Sequence, residues 1–165
     1  KNNLIFFQYK KYKNLNHYNL PIHSVSDGFE HIFASFIPIN STEYDSVIAK
    51  LTTSPVKYLE NKYENITNYY GVDKNILVKD FRAIEKYIKQ TKQFNYYKEL
   101  SALAVDKYPR TILGSYFMGL YYEKNGDMKK AMHIYRSAYT LLDIEGITKD
   151  ELLDRADLIS DDLNY

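Results

Sequence analysis

Few residues in this chain could do chemistry. Four histidines and no cysteine leave imidazoles and carboxylates as the available acids, bases and ligands, so disulfides, thiolate nucleophiles and cysteine metal sites are excluded. His17 stands in a polar stretch three residues before Leu20-Pro21. An imidazole in such a loop suits proton transfer to and from a reacting oxygen near neutral pH, and it equally suits a solvated surface position with no role. His23 and His31 are eight residues apart, about two helical turns. Neither a third histidine nor a carboxylate stands at ligand spacing, and Asp27 reads as easily as a first-turn dipole partner. Hence no metal site and no cofactor is expected. Asp161-Asp162 reads as a solvated end and not as an acid/base pair. No Gly-x-Ser-x-Gly elbow occurs in the chain, so by itself it is expected to be catalytically inert.

The elements that must position these groups come in a definite order. Residues 4–9, Leu-Ile-Phe-Phe-Gln-Tyr, form a short β-branched and aromatic run that predicts a strand. Nothing else in the sequence pairs with it, so it implies a sheet outside this chain or a homodimer formed through residues 4–9. The lysine-rich stretch Lys10–Asn16 predicts a loop. After Pro21, Ser24 or Ser26 can cap a helix that buries Phe29, Ile32, Phe33 and Phe36 at helical spacing. Pro38 ends it. Further helices are expected from Asn40-Ser41-Thr42 onward (Tyr44, Val47, Ile48, Leu51 on one face), from Ser54-Pro55 to the stop at Gly71, and from an Asp73 cap through Phe81, Ile84, Tyr87 and Ile88. Another runs from Tyr96 to Tyr108. Thr148 to Glu151 forms a capping box for a last helix with acids facing outward.

A strand, a loop with His17, a proline turn and an amphipathic helix follow one another as at the end of an α/β-hydrolase sheet. The run His17-Tyr18-Asn19-Leu20-Pro21, with Asp27-Gly28-Phe29 and Ile32-Phe33 after it, resembles the C-terminal edge of bacterial esterases of that fold, whose motif has the form His-x-Ser-Val-Pro. Asn19 stands where that family more often has Ser or Thr. The resemblance covers about the first 37 residues. It implies that His17 is the triad histidine of a serine esterase, taking the proton of a serine nucleophile and returning it to the leaving group.

Leu113 to Gly146 is the second recognisable stretch. Met118, Gly119, Tyr122, Gly126, Ala131, Tyr135 and Ala138 fall at the spacing of a tetratricopeptide (TPR) unit, a helical hairpin of about 34 residues. Gly119 and Ala131 allow two backbones to approach, while Tyr122 and Tyr135 fill the space beside them. One repeat earlier the pattern is degenerate: Glu85 replaces the glycine, and Tyr97 and Ser101 replace the alanine and the aromatic. The TPR resemblance implies a partner groove lined by Leu113, Tyr116, Leu120, Glu123 and Lys124. Tyr116 and Leu120 stand where carboxylate-gripping relatives carry Lys and Asn, so packing on an adjoining catalytic domain is favoured over capture of a separate peptide.

The expected fold is therefore mainly α. Residues 1–37 are the edge of a hydrolase domain (last strand, His17 loop, last helix), residues 38–79 are connecting helices, and residues 80–165 are a TPR-like domain with a terminal capping helix. Lys and Arg number 22 against 21 Asp and Glu, which gives no reason to propose nucleic acid as a partner. The 18 tyrosines are spread along the chain and read as packing residues with wet hydroxyls rather than a stacking platform. No apolar run approaches the roughly 20 residues that span a bilayer. The chain opens on Lys1 without an initiator methionine or a leader, which reads as a piece of a longer or processed protein, and a cytoplasmic or a periplasmic location fits alike. Two readings stand: the C-terminal helical part of a serine esterase, partnered by its own catalytic domain, or a free-standing TPR module that binds a protein or peptide.

Overall fold

The computed structural model describes residues 9–163, and the chain is mainly α-helical. It divides into two compact units, Lys1–Ile37 and Pro38–Tyr165. The strand expected at residues 4–9, and the homodimer edge assigned to it, lie outside the described residues except for Tyr9, which is exposed.

In the first unit a loop from residue 9 leads through a turn at residues 17–19 into α1 (Leu20–Phe33), which tightens into a 3-10 turn at Ala34–Phe36. The helix starts earlier than the Ser24 or Ser26 caps predicted. Pro21 sits in its first turn, where a missing N–H breaks no intrahelical bond, and the Leu20 amide donates to the Asn16 carbonyl at 3.0 Å. The expected burial of the α1 stripe is also corrected: no residue of α1 is buried. Phe29 is 57% exposed, Ile32 50% and Phe33 48%. A single amphipathic helix buries its apolar face only against another element, and the described part of this unit offers none.

The second unit carries the core. Asn40 caps α2 (Ser41–Ser46) by accepting the Glu43 amide at 2.9 Å. This helix is shorter than its apolar pattern suggested. It breaks at Val47, which is exposed, and a 3-10 turn at Ile48–Lys50 places Ile48 in the core instead. Ser54 caps α3 (Pro55–Tyr70), Pro55 opens it, and Gly71 closes it in the left-handed region at φ 66°. Val56, Leu59, Tyr63 and Ile66 form its buried face.

Asp73 does not cap the next helix. Residues 71–77 are irregular, and α4 (Val78–Thr91) begins only after Leu77. The Tyr63 hydroxyl accepts the Leu77 amide at 3.0 Å and donates to the Asp80 carboxylate at 2.8 Å, which holds the chain off the helical path for those extra residues. Asp80 is fully buried and also accepts the Ile39 amide at 2.8 Å, tying the start of the unit to α4.

From α4 onward the helices pack in sequence: α5 (Tyr96–Lys107) on α6 (Leu113–Lys124), α6 on α7 (Met128–Ser137), and α7 on α8 (Lys149–Leu163). The α6–α7 hairpin turns at Asn125-Gly126-Asp127, and the Asp127 side chain caps α7 through the Lys130 amide at 3.3 Å. α6 and α7 touch along their length, whereas α4 and α5 touch sparsely. The residues at the contact explain this. Gly119 and Ala131 let α6 and α7 close up, but the positions 34 residues earlier carry Glu85 and Tyr97, too large for the same approach. After α7 the chain returns to the start of α6, where the Ile112 amide donates to the Leu142 carbonyl at 3.0 Å and the Leu142 amide to Arg110 at 2.9 Å. Thr148 then caps α8 by accepting the Glu151 amide at 3.2 Å. Among the described residues no helix is long and apolar enough to cross a membrane.

Candidate functional site

The loop that carries His17 is shaped by asparagines. Asn14 adopts a left-handed conformation at φ 66°, which asparagine tolerates better than most side-chain-bearing residues. The Asn16 side-chain oxygen accepts the amides of Tyr18 and Asn19, each at 3.0 Å, closing an Asx turn that places His17 just ahead of α1. The imidazole is exposed and packs edge-on against the Tyr18 ring, with centroids 5.8 Å apart and planes at 73°. Among the described residues no carboxylate or hydroxyl bonds to it. His17 is thus presented to solvent on a turn that is itself well fixed.

A second contact fixes the other end of that loop. Asp27 accepts hydrogen bonds from the Lys10 ammonium and from the Tyr12 hydroxyl, and Lys10 lies 5.3 Å from the centre of the Tyr12 ring. These two bonds, Lys10 first, hold the Asp27 carboxyl below the usual carboxylate range. The reading of Asp27 as a first-turn dipole partner is therefore corrected: with α1 starting at Leu20 it lies two turns in and anchors the loop. His23 and His31 are both exposed on the same helix. Among the described residues no group of three His, Asp or Glu side chains could hold a metal ion.

The groove expected on α6 is not open. Leu113, Tyr116 and Leu120 are at most 2% exposed, because α6 is enclosed between α5 and α7 while Arg155 of α8 lies over the Tyr116 ring at 5.7 Å. Glu123 is turned to internal work, accepting the Tyr135 hydroxyl at 2.7 Å and pairing with Arg155 at 3.5 Å. Lys124 alone of the five is exposed, at the end of α6. Leu113, Tyr116, Leu120 and Glu123 belong to the core and its polar seam, and His17 belongs to the other unit.

That polar seam was not legible in advance. Glu85, 3% exposed, accepts the Tyr116 hydroxyl at 2.7 Å and pairs with Arg82 at 2.8 Å and Lys89 at 2.6 Å. Burial alone would raise its pKa, but the bonds from Lys89, Arg82 and Tyr116 prevail and lower it. Arg82 also donates to Tyr116 at 2.8 Å and to the Gly146 carbonyl at 2.9 Å, so one guanidinium joins α4, α6 and the turn before α8. The available signal was a carboxylate at Glu85 where the hairpin pattern wants glycine: a charge at a core position needs partners, and Arg82 and Lys89 stand three residues before it and four after. For Asp27 the signal was its place on α1, diametrically opposite the apolar stripe at 3.6 residues per turn.

No family model matches the chain, and no curated protein matches it. It is similar to the crystal structure of an uncharacterised protein from Capnocytophaga ochracea DSM 7271, with 28% sequence identity and a TM-score of 0.78 over 91% of this chain and 42% of that one. The chain thus spans less than half the length of that protein.

Proposed function

We propose that this chain is the C-terminal helical part of a serine esterase of α/β-hydrolase type, in which His17 is the general base and residues 38–165 form a TPR-like stack attached to the catalytic domain. The observation that carries the reading is the uncovered stripe of α1. Ile22, Val25, Phe29 and Phe33 recur at helical spacing, and all are about half or more exposed. A helix patterned to be half buried, placed directly after a histidine turn, has the form of the last helix of a hydrolase sheet. The length of the similar solved protein, of which this chain spans 42%, leaves room for such a domain.

The TPR-like part of the reading draws support from the α6–α7 hairpin, which turns at Asn125-Gly126-Asp127 and buries Gly119, Ala131 and Tyr135 at its contact. A free-standing peptide-binding module is the weaker alternative, since Leu113, Tyr116 and Leu120 are sealed in the core. In the esterase reading the stack packs on its own enzyme.

The test is the reading frame that encodes the chain, followed by activity. An upstream Gly-x-Ser-x-Gly is expected, and its protein should hydrolyse a short-chain p-nitrophenyl ester. Replacing His17 by Ala should cut kcat by about 10⁶-fold, the order lost when a triad histidine is removed. An upstream region without the elbow, or undiminished turnover in the variant, removes the esterase reading.

A further inference from the structure

We infer that Asp27 is the positioning residue for His17: it clamps the histidine loop onto the back of α1 and so sets where the imidazole stands. The inference rests on the esterase reading for its catalytic consequence, and on geometry alone for the clamp. Asp27 lies seven residues into α1 from Leu20, an axial distance of roughly 10 Å at 1.5 Å per residue. The eight-residue step from Tyr12 to Leu20 could reach roughly 26 Å if extended. With Tyr12 held at Asp27 and Leu20 fixed as the start of the helix, the segment Lys13–Asn19 must fold back as a compact loop. The left-handed Asn14 and the Asx turn at Asn16 are the two features that let it do so.

The division of α1 into faces makes the clamp informative. The stripe through Ile22, Val25, Phe29 and Ile32 lies on one side of the helix, and Asp27 on the opposite side. If the stripe docks on a sheet, the loop held by Asp27 stays on the outside of that layer, and His17 is carried around the start of α1 to its edge. Lys10 and Tyr12 reach one carboxylate oxygen from positions two residues apart, so losing either weakens the clamp while losing Asp27 releases both. Asp27 itself touches no reacting atom. Its effect passes through the loop, so it should alter how often His17 is in place and leave ester binding unchanged.

Two measurements test this. In this chain, ¹⁵N relaxation should report order parameters near 0.85 for Lys13–Asn19, falling below about 0.6 in Asp27→Ala and recovering in Asp27→Glu. Tyr12→Phe and Lys10→Met should each give an intermediate loss while the α1 amide signals persist, separating a released loop from an unfolded helix. In the longer protein that carries the serine elbow, Asp27→Ala should lower kcat by about ten-fold with KM unchanged, Asp27→Glu restoring it. Loop order that is indifferent to Asp27→Ala overturns the clamp. Loop order that falls without a change in kcat overturns the positioning role. Full activity of the His17→Ala variant overturns the esterase reading, and the relaxation data then still decide the clamp.

Discussion

Gly119 of α6 lies against the ring of Tyr135 of α7, so closely that a Cβ built on Gly119 would overlap Cε1 and Cζ of that ring and stand 2.7 Å from Cδ1. The tyrosine has nowhere to go, since it is fully buried and its hydroxyl is bonded to Glu123 at 2.7 Å. In an open helix Gly119→Ala would gain about 1 kcal/mol from helix propensity. Here overpacking, worth about 1–3 kcal/mol, acts against it. The expected net loss is about 1 kcal/mol, read as a fall in Tm of roughly 2–4 °C for a chain of this size. Adding Tyr135→Phe unties the ring from Glu123 and should recover part of that loss. An additive double variant in thermal unfolding would show that the ring, once untied, still cannot yield.

Acid should act on Glu85. Its pKa is lowered in the folded chain from 4.5, the net of burial, which raises it, and the stronger bonds from Lys89, Arg82 and Tyr116. A depressed folded value contributes stability that is fully present above the unfolded pKa and is lost as pH falls through the folded one. Glu85→Gln should therefore cost about 3 kcal/mol at pH 7, where it leaves Arg82 without its buried partner. The gap between the two proteins in urea midpoint should narrow below about pH 4.5, since protonation then does to the parent what the substitution did. A gap that stays constant down to pH 3 would mean that Glu85 is held for its shape rather than its charge.

The mainly helical class was legible because helices announce themselves at their ends. Ser54-Pro55 and Gly71 bound α3 where the signals stand, and Asn125-Gly126-Asp127 turns the α6–α7 hairpin. Legibility failed where a distant side chain took over a local decision. Asp73 has the chemistry of a cap, but the Tyr63 hydroxyl holds the Leu77 amide and the helix waits until Val78. Ser24 can cap, but Asn16 takes the amides ahead of α1 and Pro21 fits its first turn. The site failed for a different reason. Periodicity states that Leu113, Tyr116 and Leu120 share a face but not what covers it, and Arg155, 39 residues beyond Tyr116, supplies part of the cover. The same limit applied in reverse to α1, whose stripe predicts burial while no described element of its own unit provides it.

Asp80 gives the sharpest test of how the second unit begins. The carboxylate is fully buried on α4 and is shared by two groups distant in sequence, the Ile39 amide and the Tyr63 hydroxyl, each at 2.8 Å. Asp80→Ala removes both bonds and leaves the Ile39 N–H and the Tyr63 O–H without acceptors, at about 1–3 kcal/mol for each unsatisfied donor. A loss of about 3 kcal/mol is expected in the urea midpoint. Asp80→Asn keeps one acceptor oxygen and should lose less. The local consequence separates this from a general loss of packing. With Ile39 no longer tied to α4, exchange of the Ile39 amide should accelerate far more than exchange at the core of α6, because only the first site depends on that carboxylate. Equal acceleration at Ile39 and at Phe117 would mean that Asp80 supports the whole stack, and that the start of the unit is held by burial of the Ile39 side chain instead.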